Sequence, residues 1–592
     1  RIHNKRLMND REPFIYIKQM YMKGFFDLEE NCKEKIISED YWDFIIPLYR
    51  DEELKEVNPE NACIQEMDFG YKSVSVDRRI LLPLSFREYW YSTIPKCYTL
   101  LDMQPLDAAG IITLQNYPTL QLMGDGIMIG FLDTGIDYQN RVFRNLDGTT
   151  RIVGIWDQTI QDGTPPVGIL YGADYTREQI NAALLSENPY DVVPSRDMNG
   201  HGTFLAGVAC GSESENGDFI GAAPQSEIIM VKLKEAKQYL RDFFFVKDGV
   251  PAYQENDIMM AVSYLNGVAN ILNRPLVICV ALGNSAGSHA SEGFLPSYLN
   301  YICGRRKRVV VTAAGNEANA RHHFQGRIIG EMEHEDAEIT VEENTKGFFV
   351  ELWASAPELY AVTIISPSGE QIPRILVRRG ASEQFHFIFE GTTITVDYRI
   401  DTKETASQLI FFRFIRPTPG LWTIRIFPQL TVTGNYHLWL PLRELTDGNN
   451  FFLRSNPEIT LTSPSAARQV ITVGGYQASN TSIYADSGRG YTITGEIKPD
   501  FVAPAVDVYG PGLLGNFITF TGTSAAAAIT AGACAQIMQW AIVDQNNTVM
   551  SNTSIKNMLI RGTAKPENRT YPNREWGYGT LDVFGAFQNL RL

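Results

Sequence analysis

From about residue 105 short apolar runs alternate with stretches whose apolar residues recur at helical spacing. The runs GIMIGFLD, SEIIMVKL, PLVICVAL and RVVVTAAG predict strands, while GTFLAGVACG and QENDIMMAVSYLNGVANIL predict helices between them. This alternation predicts an α/β domain with a mostly parallel sheet and helices on both faces, because parallel neighbours need a crossover to join them. Near residue 326 the pattern changes to short β-rich runs, among them GFFVELWAS, LYAVTIISP, QLIFFRFIR, LWTIRIFP and YHLWLPL, with turn signals such as SPSGE and PTPG between them. These predict an antiparallel β-sandwich, jelly-roll-like, over residues 326–452. α/β texture then resumes in RQVITVGGY and in a helix that begins at Ser524, so the sandwich reads as an insertion.

The first hundred residues differ again, mixing charged helical runs with the alternating segment KSVSVDRRILLPL, which predicts a small α+β unit. The resulting division is 1–103 for that unit, 104–325 and 453–592 for the two parts of the α/β domain, and 326–452 for the sandwich. A length of 592 residues with 44% hydrophobic content supplies several cores. A formal net charge of −16 lacks the basic footprint of a nucleic-acid binder, which is set aside.

The seven cysteines are scattered, with no close pair suggesting a metal knuckle or a disulfide framework, and a reducing compartment fits them best. No uninterrupted apolar stretch approaches a bilayer span, and RIHNKRLMNDREPF has no apolar run behind it, so neither a secretion signal nor a membrane partner is expected. The sequons at Asn480, Asn546, Asn552 and Asn568 then read as chance. No calcium loop is visible, and neither a metal nor a cofactor is expected.

Three residues carry the chemistry. Asp133 ends a strand and precedes Thr134-Gly135, which projects its carboxylate from the C-terminal edge of the sheet. His201 lies between Gly200 and Gly202 at the start of a helix, and Ser524 follows Gly522-Thr523 at the start of another. Taken singly they read as a turn, a structural histidine and an N-cap. Together they form a nucleophile, a base to take its proton and a carboxylate to orient that base.

At these residues the sequence resembles the subtilisin-like (subtilase) serine proteases: DTGID at Asp133, HGT at His201, AAGN at Asn316 and GTS at Ser524 occur in that family's order, with GAAPQSEIIMVK and KPDFVAP as lesser matches. The resemblance covers residues 104–325 and 453–592. It implies that Asp133 orients the ring, His201 is the base and then the acid, and Ser524 is the nucleophile. By the same resemblance Asn316, after Gly315, donates to the oxyanion, and Ala281-Leu282-Gly283 pairs with an extended polypeptide substrate. Glu317 falls beside the primary specificity pocket, where it would favour basic or polar side chains. Ala525 to Ala528 depart from the family's usual Met and Ala-Ala-Pro, which bears on helix packing.

The family resemblance further implies that residues 1–103 are a propeptide, a partner that blocks the cleft with REYWYSTIPKCYTLLD and is cut by Ser524. With a β-sandwich inserted between Asn316 and Ser524, the chain is similar to the Csp germination proteases of clostridia and related spore formers. That likeness implies a cytoplasmic or spore-associated enzyme that processes the precursor of a cortex hydrolase. Some members of that group are silent binding or signalling proteins. Such members commonly lose triad residues, and none is missing here. A lipase or esterase would need Gly-x-Ser-x-Gly, and Gly522-Thr523-Ser524-Ala525-Ala526 lacks the second glycine.

Overall fold

A computed structural model describes residues 32–47, 61–67, 70–100, 107–378, 380–401 and 407–591. The run DLEENCKEKIISEDYWDFIIPLYRDEELKEV, residues 27–57, expected to be helical, is a helix only at Cys32–Ile37 and a strand at Tyr41–Pro47, where YWDFIIP is apolar and aromatic and pairs in a sheet; its two ends, and the end of the segment reaching residue 102, lie outside the described residues. At the centre is a nine-stranded sheet. Its strand Met128–Asp133 lies between Leu276–Val280 and Glu227–Lys232, parallel to both. The next strand in the chain, Ile152–Asp157, adds beyond Glu227–Lys232, whereas Arg308–Ala313 and Ile471–Gln477 add on the opposite side. Strand order therefore reverses at Met128–Asp133, and the loops leaving its C-terminal end diverge to open a crevice at Asp133.

Side chains of the central strands alternate between two cores, as the pleat requires. Ile129, Phe131, Val277, Cys279, Val309 and Val311 pack with the helices His201–Cys210 and Thr523–Met538. Met128, Leu132, Leu276, Ile278 and Val310 pack with Glu255–Ile271 and Phe294–Cys303 on the other face. Thr523–Val543 has the length and apolarity of a bilayer span, a feature the sequence reading did not expect, but 78% of its most apolar window is buried inside the protein. It is the core helix, and its run of alanines fits the close approach to His201–Cys210.

KPDFVAP supplies a buried charge cluster beneath the sheet. Lys498 donates to Asp500 at 2.8 Å and to the Val470 carbonyl at 2.7 Å, and Lys556 meets the other Asp500 oxygen at 2.8 Å. Burial pushes the Lys498 ammonium down, while the two ammoniums hold the Asp500 carboxyl below its ordinary range.

Residues from His323–Arg327 to Phe451–Phe452 form two antiparallel sheets, of six and four strands, face to face. Their shared core is strongly aromatic, with Phe348, Phe412, Phe414 and Trp422. The outer face of the six-stranded sheet is apolar too: Phe349, Trp353, Phe411 and Trp439 pack on Phe243 and Phe244 of the α/β domain and on Phe86 of the N-terminal unit. At this seam His289 stacks on Trp439 with centroids 4.1 Å apart, its ring nitrogens at the carbonyls of Leu461 and Ser285. His323 and His437 stack on the same indole, and their rings share a 3.0 Å hydrogen bond.

The N-terminal unit is a three-stranded antiparallel sheet, Tyr41–Pro47, Tyr71–Asp77 and Ala62–Met67, with the helix Cys32–Ile37. Cys32 and Cys63 are joined as a disulfide, which corrects the expectation of no paired cysteines. The helix and the strand bring together residues 31 apart in the chain, a proximity that sequence spacing alone does not reveal. The unit docks through Asp43, which meets Lys237 at 2.9 Å with both side chains almost wholly buried, and through the stacked Trp42 and Tyr239.

Two outcomes are expected. Asp500→Asn leaves two buried ammoniums facing each other and lowers the unfolding free energy by about 3–5 kcal/mol in denaturant titrations; an unchanged midpoint would sink that assignment. Burial pushes His289 down to about 4 and His437 down to about 3, whereas an unfolded histidine protonates near its ordinary value of about 6.5. Below that value the unfolded state holds more protons, so stability present at neutral pH is lost as pH falls toward 4. Melting temperature should fall on acidification from pH 6.5 and fall less steeply in His437→Gln; parallel curves would contradict this.

Candidate active site

Asp133 and His201 are brought together by the meeting of a strand end and a helix start. His201 is the first residue of its helix, and Gly200 before it has φ 94°, a left-handed conformation that suits glycine. Gly202 permits the contact itself, since a Cβ there would sit 2.2 Å from the Gly135 carbonyl oxygen and 3.2 Å from the Asp133 side chain. Its N–H donates to Thr134 Oγ1 at 3.0 Å. Asp197, which the sequence reading missed, secures the turn: one oxygen accepts the N–H groups of Asn199 and Gly200, and the other accepts the N–H and hydroxyl of Thr203. The run Asp197-Met198-Asn199-Gly200 carried that signal as an Asx turn before a helix.

The result is a buried pair. His201 Nδ1 lies 2.8 and 2.9 Å from the two Asp133 oxygens, with 2% and 1% side-chain exposure respectively. A carboxylate so placed fixes the ring with Nδ1–H toward it and leaves Nε2 as the proton acceptor. The edge of Phe520 faces the ring at 6.0 Å.

Ser524 is the second residue of Thr523–Met538 and is fully buried. Its backbone N–H belongs to the helix's first turn, where unpaired donors concentrate positive potential. Thr523 sets the neighbouring donor. Its N–H and hydroxyl reach Asn316 Oδ1 at 3.2 and 3.1 Å, and its Oγ1 accepts the Gly315 N–H at 3.1 Å. With Oδ1 engaged in this way, Nδ2 is the end of the Asn316 amide that could donate to an oxyanion, and Gly315 precedes it at φ 95°, a left-handed turn that suits glycine.

Ala281 is buried at the end of a core strand, and Leu282-Gly283 continue as a short edge strand. Against it lies the chain's own segment Cys97–Leu100, antiparallel, pairing Leu282 with Leu100 and Gly283 with Thr99. On its other side the segment pairs with Tyr253–Gln254, so it is the middle strand of three. Asn284 Nδ2 also donates to the Cys97 carbonyl at 2.8 Å. That second wall went unseen in the sequence because a two-residue strand has no periodicity to read.

Glu317 does not offer its charge to a substrate in the way the sequence suggested. It is 3% exposed, lies 2.9 Å from His322 Nδ1 and accepts the Arg443 N–H, so its carboxylate is withdrawn from the surface. Burial, reinforced by the Glu317 charge, pushes nearby Glu444 up to about 7. Thiol chemistry has no support at this site: Cys97 and Cys210 are buried and their thiols pushed up to about 12. Among the described residues no cluster of His, Cys, Asp and Glu suits a metal ion.

A buried carboxylate–imidazole pair, and a serine at the start of a helix that packs against the histidine's own helix, suit acyl transfer at the edge where open parallel sheets bind their ligands, and the class so defined is that of the subtilisin-like serine peptidases, which are hydrolases. The chain belongs to the subtilase family (Peptidase_S8), whose pattern it matches over residues 124–347 and 433–579. The structure of the CspB protease of Clostridium perfringens superposes with a TM-score of 0.73 at 30% identity, covering 82% of this chain and 98% of that one. Serine protease AprX of Bacillus subtilis (strain 168) is 32% identical over 126 residues, 18% of this chain and 27% of AprX. The membrane-bound transcription factor site-1 protease of Mus musculus is 31% identical over 138 residues, 22% of this chain and 12% of that protein. The match thus spans less than a third of either curated relative.

Replacing Thr523 by valine removes the hydroxyl's bond to Asn316 Oδ1 and the acceptor of the Gly315 N–H, which loosens the Asn316 amide while the backbone bond and the helix stay in place. If Asn316 stabilises a transition state, kcat should fall roughly tenfold with KM nearly unchanged in peptide hydrolysis; a change confined to KM would contradict that role.

Proposed function

We propose that this chain is a serine endopeptidase that hydrolyses peptide bonds through an acyl-enzyme and first cuts its own N-terminal unit. Ser524 Oγ attacks the scissile carbonyl carbon as His201 Nε2 takes the hydroxyl proton, and Asp133 stabilises the imidazolium that forms. Asn316 Nδ2 and the Ser524 N–H receive the oxyanion. Collapse of the tetrahedral intermediate breaks the C–N bond, with the proton passing from His201 to the leaving amine. Water then repeats the sequence on the ester and regenerates Ser524.

The observation that carries this reading is the docking of Cys97–Leu100 between Leu282–Gly283 and Tyr253–Gln254, since this groove of the α/β domain already holds a polypeptide in extended form. In this reading residues 1–103 act as a propeptide that fills the cleft until cleavage near residue 100. In the same reading, and by the resemblance to the Csp group alone, the later substrate is a protein precursor such as that of a spore cortex hydrolase, in the cytoplasm or spore of a bacterium.

Expressing the wild type and Ser524→Ala side by side tests the proposal. Two fragments, parted near residue 100, are expected from the wild type and one intact band from the variant, with the new N-terminus read by mass spectrometry. Identical intact bands, with no peptide hydrolysis by the wild type, would instead favour a catalytically silent binding protein.

A further inference from the structure

Upstream of the docked strand the three units meet around a cavity of about 380 Å³, lined among others by Trp90 and Tyr98, by Glu255, Glu292 and Pro296, and by Trp353 of the sandwich. Two carboxylates beside it are buried. Glu255 opens the helix Glu255–Ile271 and accepts the N–H groups of Leu295 at 3.1 Å and Lys96 at 3.3 Å. Glu351, on the sandwich strand Gly347–Ser355, accepts from Gly287 N–H, Trp353 Nε1 and the Tyr91 hydroxyl, each at 2.8 Å. Burial pushes both carboxyls up; the Lys96 ammonium is the chief counterweight at Glu255, whereas at Glu351 the hydrogen bonds from Gly287, Trp353 and Tyr91 come first and the Lys96 charge adds to them.

Lys96 reaches this place as part of the chain in the groove, three residues before Thr99, the partner of Gly283. Its ammonium donates to the carbonyls of Tyr91 and Ile94 and lies 4.3 Å from the centre of the Tyr91 ring. Glu292, which accepts from Ser288 at 2.9 Å, and Arg399, whose guanidinium donates to the Tyr89 carbonyl, are the other charged groups lining the cavity. When the N-terminal unit leaves, Lys96, Tyr91 and Tyr89 leave with it. Glu255 and Glu351 stay behind on the α/β domain and the sandwich, having lost the cation that Lys96 supplied. A buried carboxylate without its cation is a strong attractor for another.

We propose that Glu255 and Glu351 form a cation-selecting subsite at the upstream end of the groove, so that favoured polypeptide substrates carry lysine or arginine three residues before the residue that pairs with Gly283. The inserted sandwich thereby contributes directly to specificity, through Glu351. The inference rests on the endopeptidase reading, and it acts through binding remote from the scissile bond, so its effect belongs mainly to KM.

The test uses self-processed full-length enzyme and three fluorogenic peptides: Lys-Ser-Tyr-Thr-Leu-Leu, the same peptide beginning with Glu, and the short Tyr-Thr-Leu-Leu. Hydrolysis of the short peptide establishes the protease and an open groove. The Lys peptide is then expected to exceed the Glu peptide about tenfold in kcat/KM, through KM, with the ratio shrinking in Glu351→Gln. Equal rates for the two long peptides overturn the subsite and leave the protease standing. If the chain cleaves itself but no peptide, self-cleavage decides: Lys96→Arg should keep the rate, Lys96→Glu should lose about tenfold, and Glu255→Lys should restore it in the double variant. Unchanged rates overturn the proposal. If neither self-cleavage nor peptide cleavage occurs, the protease reading fails and takes the subsite with it.

Discussion

Two polar groups, both out of water, face each other at 2.8 Å at the end of the central strand, and most of the surrounding architecture keeps them there. An aspartate and a histidine buried this deeply are tolerable only as partners. Their meeting requires a helix start to press against a strand end, which Gly202 alone makes sterically possible. Thr134 and Asp197 then hold the turn by accepting its N–H groups, so the imidazole is fixed before any substrate arrives. Thr523 performs the same service for Asn316 from the neighbouring helix. The site is thus a junction of a strand end and two helix starts, each held in place by short hydrogen bonds at the edge of the core.

The second organising feature is the segment Cys97–Leu100. It is covalently part of the N-terminal unit yet hydrogen-bonded as a strand of the α/β domain. Around it the three units share buried charge: Asp43 with Lys237 on one side, and Lys96 near Glu255 and Glu351 on the other. The sandwich belongs to the same arrangement, because the outer face of its six-stranded sheet carries a second apolar cluster, Phe349, Trp353, Phe411 and Trp439, that rests on both other units. A sheet that buries both faces can hold its neighbours in fixed relation, which a sandwich with one wet face could not do.

Much of this was legible in the one-dimensional text. The alternation of apolar runs with helical periodicity marked the parallel sheet, since each run sits between two cores and is apolar throughout. Asp133, His201, Asn316 and Ser524 stood out because the short motifs around them are local devices, a turn or a helix start, complete within a few residues. Less was legible where geometry depends on distant partners. Glu317 read as a free charge beside a pocket, but it is buried, with His322 Nδ1 2.9 Å away after a turn that spacing did not announce. Cys32 and Cys63 read as scattered thiols, and they are joined only because a helix packs across a sheet.

The sequence by itself determined the chemistry available: which residues carry a proton, a nucleophile or a donor, and on what kind of local element each stands, because those properties arise within a few bonds. Only the tertiary structure decided which of these groups face each other, that Asp197 and Thr523 support the site, and that Glu255 and Glu351, 96 positions apart, stand around Lys96, the first lining the same cavity and the second joined to it through Tyr91. The reason is physical. Coulombic and hydrogen-bond energies depend on separations of a few ångströms in a dry interior, and the chain sets those separations only once sheets and helices have packed.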